Sequence, residues 1–123
     1  MSVRRGAVLL MSTVGVLGVF ALGSTPAHAK GCSLAGKSAS VEVGIVDVSD
    51  PASIRAFAAE MEKKHPAVNV LVNNTGAWFS DRRTSPNGRE LTFATNVLGP
   101  HLLTRLLEPR LRAGAPSRVV NLV

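Results

Sequence analysis

Three short apolar runs separated by stretches of helical periodicity constrain this chain more than any other feature. Val41–Val48, Val68–Val72 and Arg118–Val123 are rich in β-branched residues and read as strands, the first apolar enough to be covered on both faces. Ser49-Asp50-Pro51 starts a helix between the first two. An aspartate at the N-cap accepts backbone N–H bonds, and a proline at the first helical position has its φ preset. Ile54, Phe57, Ala58 and Met61 then fall on one apolar face, with Glu60, Glu62, Lys63 and Lys64 extending the polar surface. His65-Pro66 ends the helix, because a residue before proline is pushed out of the α region. A second helix is predicted from about Glu90 to Arg112, with Leu91, Ala94, Leu98 and Leu102 along one side. Phe93, Val97 and Leu103 widen that surface, so the helix should be covered on two sides and kinked or split at Pro100. Strand, helix, strand, helix, strand with short connections is the pattern of parallel βαβ units. The fold class is therefore α/β, a doubly wound parallel sheet.

The first 29 residues are of another kind. They carry Arg4 and Arg5 but no acid, then an uncharged run from Ala7 to Leu22, then Gly23, Pro26 and an Ala27-His28-Ala29 end. Basic start, apolar middle, helix breakers and an A-x-A end make a secretory signal peptide. The run is short for a bilayer span, which takes about 20 residues. The same segment also reads as an uncleaved anchor, or as a start introduced by an unusual transcript or gene model. A secretory or membrane-associated location follows from the first two readings, with a membrane partner only if the segment is retained. Residues 30–40 are small, polar and aperiodic, and read as a linker before a domain over 41–123. Hydrophobic residues at 46% and charged residues at 18% fit a globular chain and exclude a disordered one. The net charge of +6 contains no block of like charge, so nucleic acid is not an expected partner. One cysteine, Cys32, excludes an intrachain disulfide framework, and three dispersed histidines suggest no metal site.

The motif that points to function is a constellation. Asp47 closes the first strand, Asn73-Asn74-Thr75-Gly76 closes the second, and Asn96 lies within Thr95-Asn96-Val97-Leu98-Gly99 on the second helix. In this arrangement Val41–Val123 resembles the middle of a short-chain dehydrogenase/reductase, and the run Ala77–Asn96 is most similar to the dehydrogenase/reductase SDR family member 12 type. The resemblance implies a nicotinamide dinucleotide, NAD(P), as cofactor. It implies that Asp47 and the Val48 backbone meet the adenine, and that Asn74 and Gly76 match the family's N-N-A-G turn lining the cofactor. It also implies that Asn96 is the asparagine that bends the long helix and holds a water in the proton relay. Thr75 replaces the usual alanine of that turn and adds a hydroxyl. Physical placement agrees, since ligands of open α/β sheets bind beyond the carboxyl ends of the strands.

Other parts that the resemblance implies are missing from these 123 residues. No glycine-rich loop precedes Val41, and the echo at Ser12–Val19 lacks its first glycine. The family's catalytic serine, tyrosine and lysine lie after the third strand, and the chain has no tyrosine. In the order 3-2-1-4-5-6 the three strands correspond to 3, 4 and 5. The first βαβ unit and the C-terminal part are thus expected to be missing, leaving Val41–Val48 without a neighbour and strand edges open to self-association. The reading is a truncated or fragmentary oxidoreductase, inactive alone, with a secreted or membrane-tethered interaction module as the alternative. Two further motifs stand outside it. Gly31–Ser38 fits a phosphate-binding G-x-x-x-x-G-K-S pattern but lacks the strand-before, helix-after context. Asn73-Asn74-Thr75 fits the N-glycosylation sequon, in a turn that packing against the sheet should shield.

Overall fold

The structure is a computed structural model that describes residues 44–122 and four strands before them: β1 (Ala7–Val14), β2 (Leu17–Ala21), β3 (Ser33–Leu34) and β4 (Lys37–Ser38). Cys32, the Ala27-His28-Ala29 end and residues 41–43 of the first predicted strand lie outside the described residues. The later elements are β5 (Ile45–Asp47), α1 (Pro51–Lys64), β6 (Val68–Asn74), α2 (Leu91–Phe93), a π-turn (Ala94–Leu98), α3 (Gly99–Ala113) and β7 (Arg118–Asn121).

Five strands form one sheet in the order β5-β2-β1-β6-β7. This corrects the expectation of three strands with an empty place between the first and second. β1 lies parallel to β6, with Leu10 opposite Val72 and Ser12 opposite Asn74, and β2 fills the place between β1 and β5. The run that reads as the apolar middle of a leader thus supplies the two strands expected to be missing. β2 runs antiparallel to both neighbours, so the sheet is not parallel throughout. Two residues separate Val14 from Leu17, whereas a parallel crossover needs a dozen or more. Within the predicted linker, β3 and β4 pair antiparallel. Lys37 and Ser38 therefore lie in a strand, whereas a phosphate loop would put them at a helix start.

α1 follows its sequence signals closely. The Asp50 carboxylate accepts from the Ala52 N–H at 2.9 Å, Pro51 takes the first turn, and Ile54, Phe57, Ala58 and Met61 are the buried face. These four join Val46, Val48, Val68, Leu71, Leu103, Leu107 and Leu111 in one core between helices and sheet. The edge strand is covered on one face only, because Val46 is 1% exposed while Ile45 is 73% exposed.

The second helix departs from expectation in its phase. Leu103, Leu107 and Leu111 face the core, while Phe93, Val97 and Leu98 remain exposed instead of being covered on a second side. The π-turn over Ala94–Leu98 is the cause: one extra residue in a turn rotates every later side chain by about 100°. Pro100 explains the turn's position, since a proline lacks the N–H that would continue the α ladder, and the helix is split there as expected. α3 meets the strands through glycines at both ends. A Cβ on Gly99 would lie 2.1 Å from the Val48 carbonyl oxygen, and one on Gly114 would lie 2.1 Å from that of Val68. A side chain at either position would hold the helix off the sheet.

Candidate functional site

The parallel strands β5, β6 and β7 bring Asp47, Asn74 and Asn121 to one carboxyl edge of the sheet. Asp47 is half-buried and part of a tight local turn. Its Oδ1 accepts from the Ser49 N–H at 2.8 Å and from the Ser49 hydroxyl at 2.7 Å, and its own N–H donates to Ser53 Oγ at 2.9 Å. Oδ2 carries no bond among the described residues. The Val48 side chain is in the core and its carbonyl is pressed against Gly99.

The second strand runs two residues further than its sequence suggests, to Asn74, because Asn73 pairs with Asn121 in β7 and Asn74 with Ser12 in β1. Asn73 is 3% exposed and its Nδ2 donates to Asn121 Oδ1 at 2.8 Å and to Thr104 Oγ1 at 3.2 Å. Its backbone carbonyl accepts from the Leu122 N–H at 3.0 Å. This side chain ties β6 to α3 and β7, a role the reading of the four residues as a turn does not contain. Asn74 is exposed, and a Cβ on Gly76 would meet nothing within 4 Å, so space is open beside the chain at the sheet edge. Thr75 is 6% exposed and its hydroxyl has no partner among the described residues, as is true of Asn73 Oδ1.

Asn96 sits inside the π-turn, and both ends of its carboxamide are used. Oδ1 accepts from the Ala77 N–H at 2.9 Å, and Nδ2 donates to the Ala77 carbonyl at 2.8 Å. The pair clamps the backbone leaving Gly76 to the helix. Nothing local signals this bond, which joins residues 19 apart. The start of that helix is fixed by Glu90, whose carboxylate accepts from the Phe93 N–H at 2.7 Å and the Thr92 N–H at 2.8 Å. Those backbone bonds, Phe93 first, hold the Glu90 carboxyl below its ordinary pKa.

Asn73, Thr75, Asn96, His101, Thr104 and Asn121, with Val97 and Leu122, line a cleft of about 350 Å³ between α3 and the ends of β6 and β7. Asp47 and Val48 do not reach it. Val48 and Ser49 instead border a smaller cleft of about 220 Å³ with Gly99, His101 and Leu102. The structure therefore brings Asn96 to the Asn73–Ala77 segment and leaves Asp47 and Val48 at the end of β5, three places along the sheet from β6.

The sequence model of a family described as enoyl-(acyl carrier protein) reductase matches residues 5–123, nearly the whole chain including β1 and β2. The chain belongs to the short-chain dehydrogenase/reductase family. Among curated relatives, retinol dehydrogenase 13 of Homo sapiens is 42% identical over 77 residues, 63% of this chain and 23% of that protein. Retinol dehydrogenase 12 of Mus musculus is 42% identical over 86 residues, 70% of this chain and 27% of that protein. Retinol dehydrogenase 14 of Mus musculus is 36% identical over 93 residues, 76% of this chain and 28% of that protein. The chain thus spans about a quarter of the length of these short-chain dehydrogenases. Among the described residues no helix is long and apolar enough to cross a membrane.

Proposed function

We propose that this chain is part of an NAD(P)-dependent oxidoreductase that moves hydride between the nicotinamide and an alcohol or carbonyl. The observation that carries the reading is Asn96 in its π-turn, fastened to Ala77 just beyond Asn74 and Gly76 at the carboxyl edge of the sheet. Open space over Gly76 and the exposed Asn74 suit the approach of a flat dinucleotide to backbone. Asn74 and Gly76 line it in this reading, while Asp47 and the Val48 backbone hold the adenine end. When bound, the dinucleotide supplies or accepts the hydride.

Asn96 serves a proton path through its main chain, because its side chain is committed to Ala77. In an α-helix its carbonyl would accept from residue 100, and Pro100 has no N–H to give. A water is the donor we assign to it. The names of the relatives favour an alcohol or aldehyde of retinol type as substrate. The run Ala77–Asn96 favours the SDR family member 12 type within the family.

The segment by itself is inactive in this proposal, since it holds no tyrosine to protonate a carbonyl. Purified chain incubated with NADPH and a panel of aldehydes should show no oxidation of cofactor above the blank. Turnover of any of them would overturn the inactivity. In a longer protein carrying this segment, Asn96→Leu should lower turnover of an alcohol the parent oxidises, because without the bonds to Ala77 the π-turn no longer holds the Asn96 carbonyl in place, and full retention of turnover would overturn the relay role.

A second reading, a non-catalytic interaction module, is favoured by one feature. β7 is an edge strand of the described sheet, and its Val119 and Val120, with Leu122 just after it, are exposed. Sedimentation of the purified chain separates the readings: self-association together with no dinucleotide binding supports the module, and a monomer that binds dinucleotide supports the oxidoreductase.

A further inference from the structure

The sequon Asn73-Asn74-Thr75 is the motif that the proposed function leaves unused, and the structure gives it an unusual setting. Its acceptor atom is Asn73 Nδ2. Both hydrogens of that nitrogen are committed, one to Asn121 Oδ1 at 2.8 Å and one to Thr104 Oγ1 at 3.2 Å. Asn73 is 3% exposed and Thr75, the residue a transferase must read, is 6% exposed. Asn73 also pairs on both sides, with Met11 of β1 and Asn121 of β7.

We propose that Asn73 is an N-glycosylation site of the unfolded chain only, and that a glycan on Nδ2 and the five-stranded sheet exclude each other. In the transfer, Nδ2 attacks the anomeric carbon of an oligosaccharide carried on a lipid diphosphate. The new C–N bond forms as the C–O bond to the diphosphate breaks, its electron pair leaves with the lipid diphosphate, and the proton lost from Nδ2 passes to a base of the transferase. The sugar then replaces a hydrogen that the fold needs and occupies the space between β7 and α3. The leader-like run points the same way, because Ala7–Leu22 contains β1 and β2. A chain engaged for export before folding lacks the strand that lies beside Asn73 and leaves the sequon open. Export and the sheet are thus alternative fates of the same residues.

The test is transfer by a purified oligosaccharyltransferase, with its lipid-linked oligosaccharide, onto the full chain. One sample is freshly diluted from denaturant and the other is first allowed to refold. Thr75→Ser, which keeps the sequon, and Thr75→Ala, which destroys it, run beside the parent. The expected result is an endoglycosidase-sensitive mobility shift for parent and Thr75→Ser from denaturant, falling at least about tenfold after refolding, and none for Thr75→Ala. The shifted species should also be cleaved by a nonspecific protease at least about tenfold faster than refolded Thr75→Ala, since cleavage follows the open population. Equal transfer to the refolded chain would overturn the proposal. So would no transfer to either sample, or a glycosylated chain as protease-resistant as refolded Thr75→Ala.

Discussion

Replacing Asn96 by alanine removes both hydrogen bonds to Ala77, those at 2.9 Å and 2.8 Å, without touching the core cluster. A net contribution of about 1 kcal/mol per bond is usual, and both bonds lie at an exposed site where water can take over. The pair should therefore stabilise the closed clamp by about 1–2 kcal/mol, a factor of roughly 5–30 in the local open population. Amide hydrogen exchange reads that population directly. In Asn96→Ala the Ala77 amide should exchange about 5–30-fold faster, with Val46 and Leu71 in the core changed far less. Asn96→Asp should be at least as damaging. It keeps an acceptor for the Ala77 N–H but sets a carboxylate oxygen where Nδ2 now donates to the Ala77 carbonyl, so two acceptors face each other. Unchanged exchange at Ala77 in Asn96→Ala would refute the clamp. An equal rise at Ala77, Val46 and Leu71 would refute its local character.

Three further outcomes are expected. Thr75→Ala removes a buried hydroxyl that has no partner among the described residues and should raise stability by about 1 kcal/mol, seen as an upward shift of several degrees in thermal unfolding; a clear fall would mean the hydroxyl is satisfied. Gly99→Ala places a Cβ 2.1 Å from the Val48 carbonyl oxygen, so the variant should lose about 1–3 kcal/mol in denaturant unfolding, and parental stability would contradict that contact. Glu90 has its folded pKa lowered by the Phe93 and Thr92 N–H bonds, so its stabilising effect is complete above the unfolded pKa and is lost as pH falls through the folded one. Helix content followed by circular dichroism should accordingly drop less between neutral and acid pH in Glu90→Gln than in the parent, and parallel curves would rule out the cap as the source.

Much of the fold between Ser49 and Asn74 was legible because its signals are local. Asp50 and Pro51 mark the start of α1, His65-Pro66 marks its end, and the spacing of Ile54, Phe57, Ala58 and Met61 gives its buried face. β1 and β2 were hidden for the opposite reason. An apolar run without charge satisfies a leader, a buried helix or a buried strand equally well, and what makes Ala7–Val14 a strand is its pairing with Val68–Asn74, some sixty residues on. The second helix was found but its phase was not, since composition does not show which turn will widen to five-residue spacing. One signal for Asn73 was available: it follows Leu71 by two residues and so shares its buried face, where a polar side chain must find partners. The clamp between Asn96 and Ala77 depends on the loop's path in space and left no mark in the sequence.

The most direct test of the proposed dinucleotide site is a titration of the isotope-labelled chain with NADH and NADPH, followed by backbone amide chemical shifts. Saturable changes centred on Asp47, Val48, Asn74, Gly76 and Ala77 are predicted, with the outer face of α1 unaffected. No saturable change at these residues, or changes confined to other parts of the chain, would contradict a cofactor site at the carboxyl edge of the sheet.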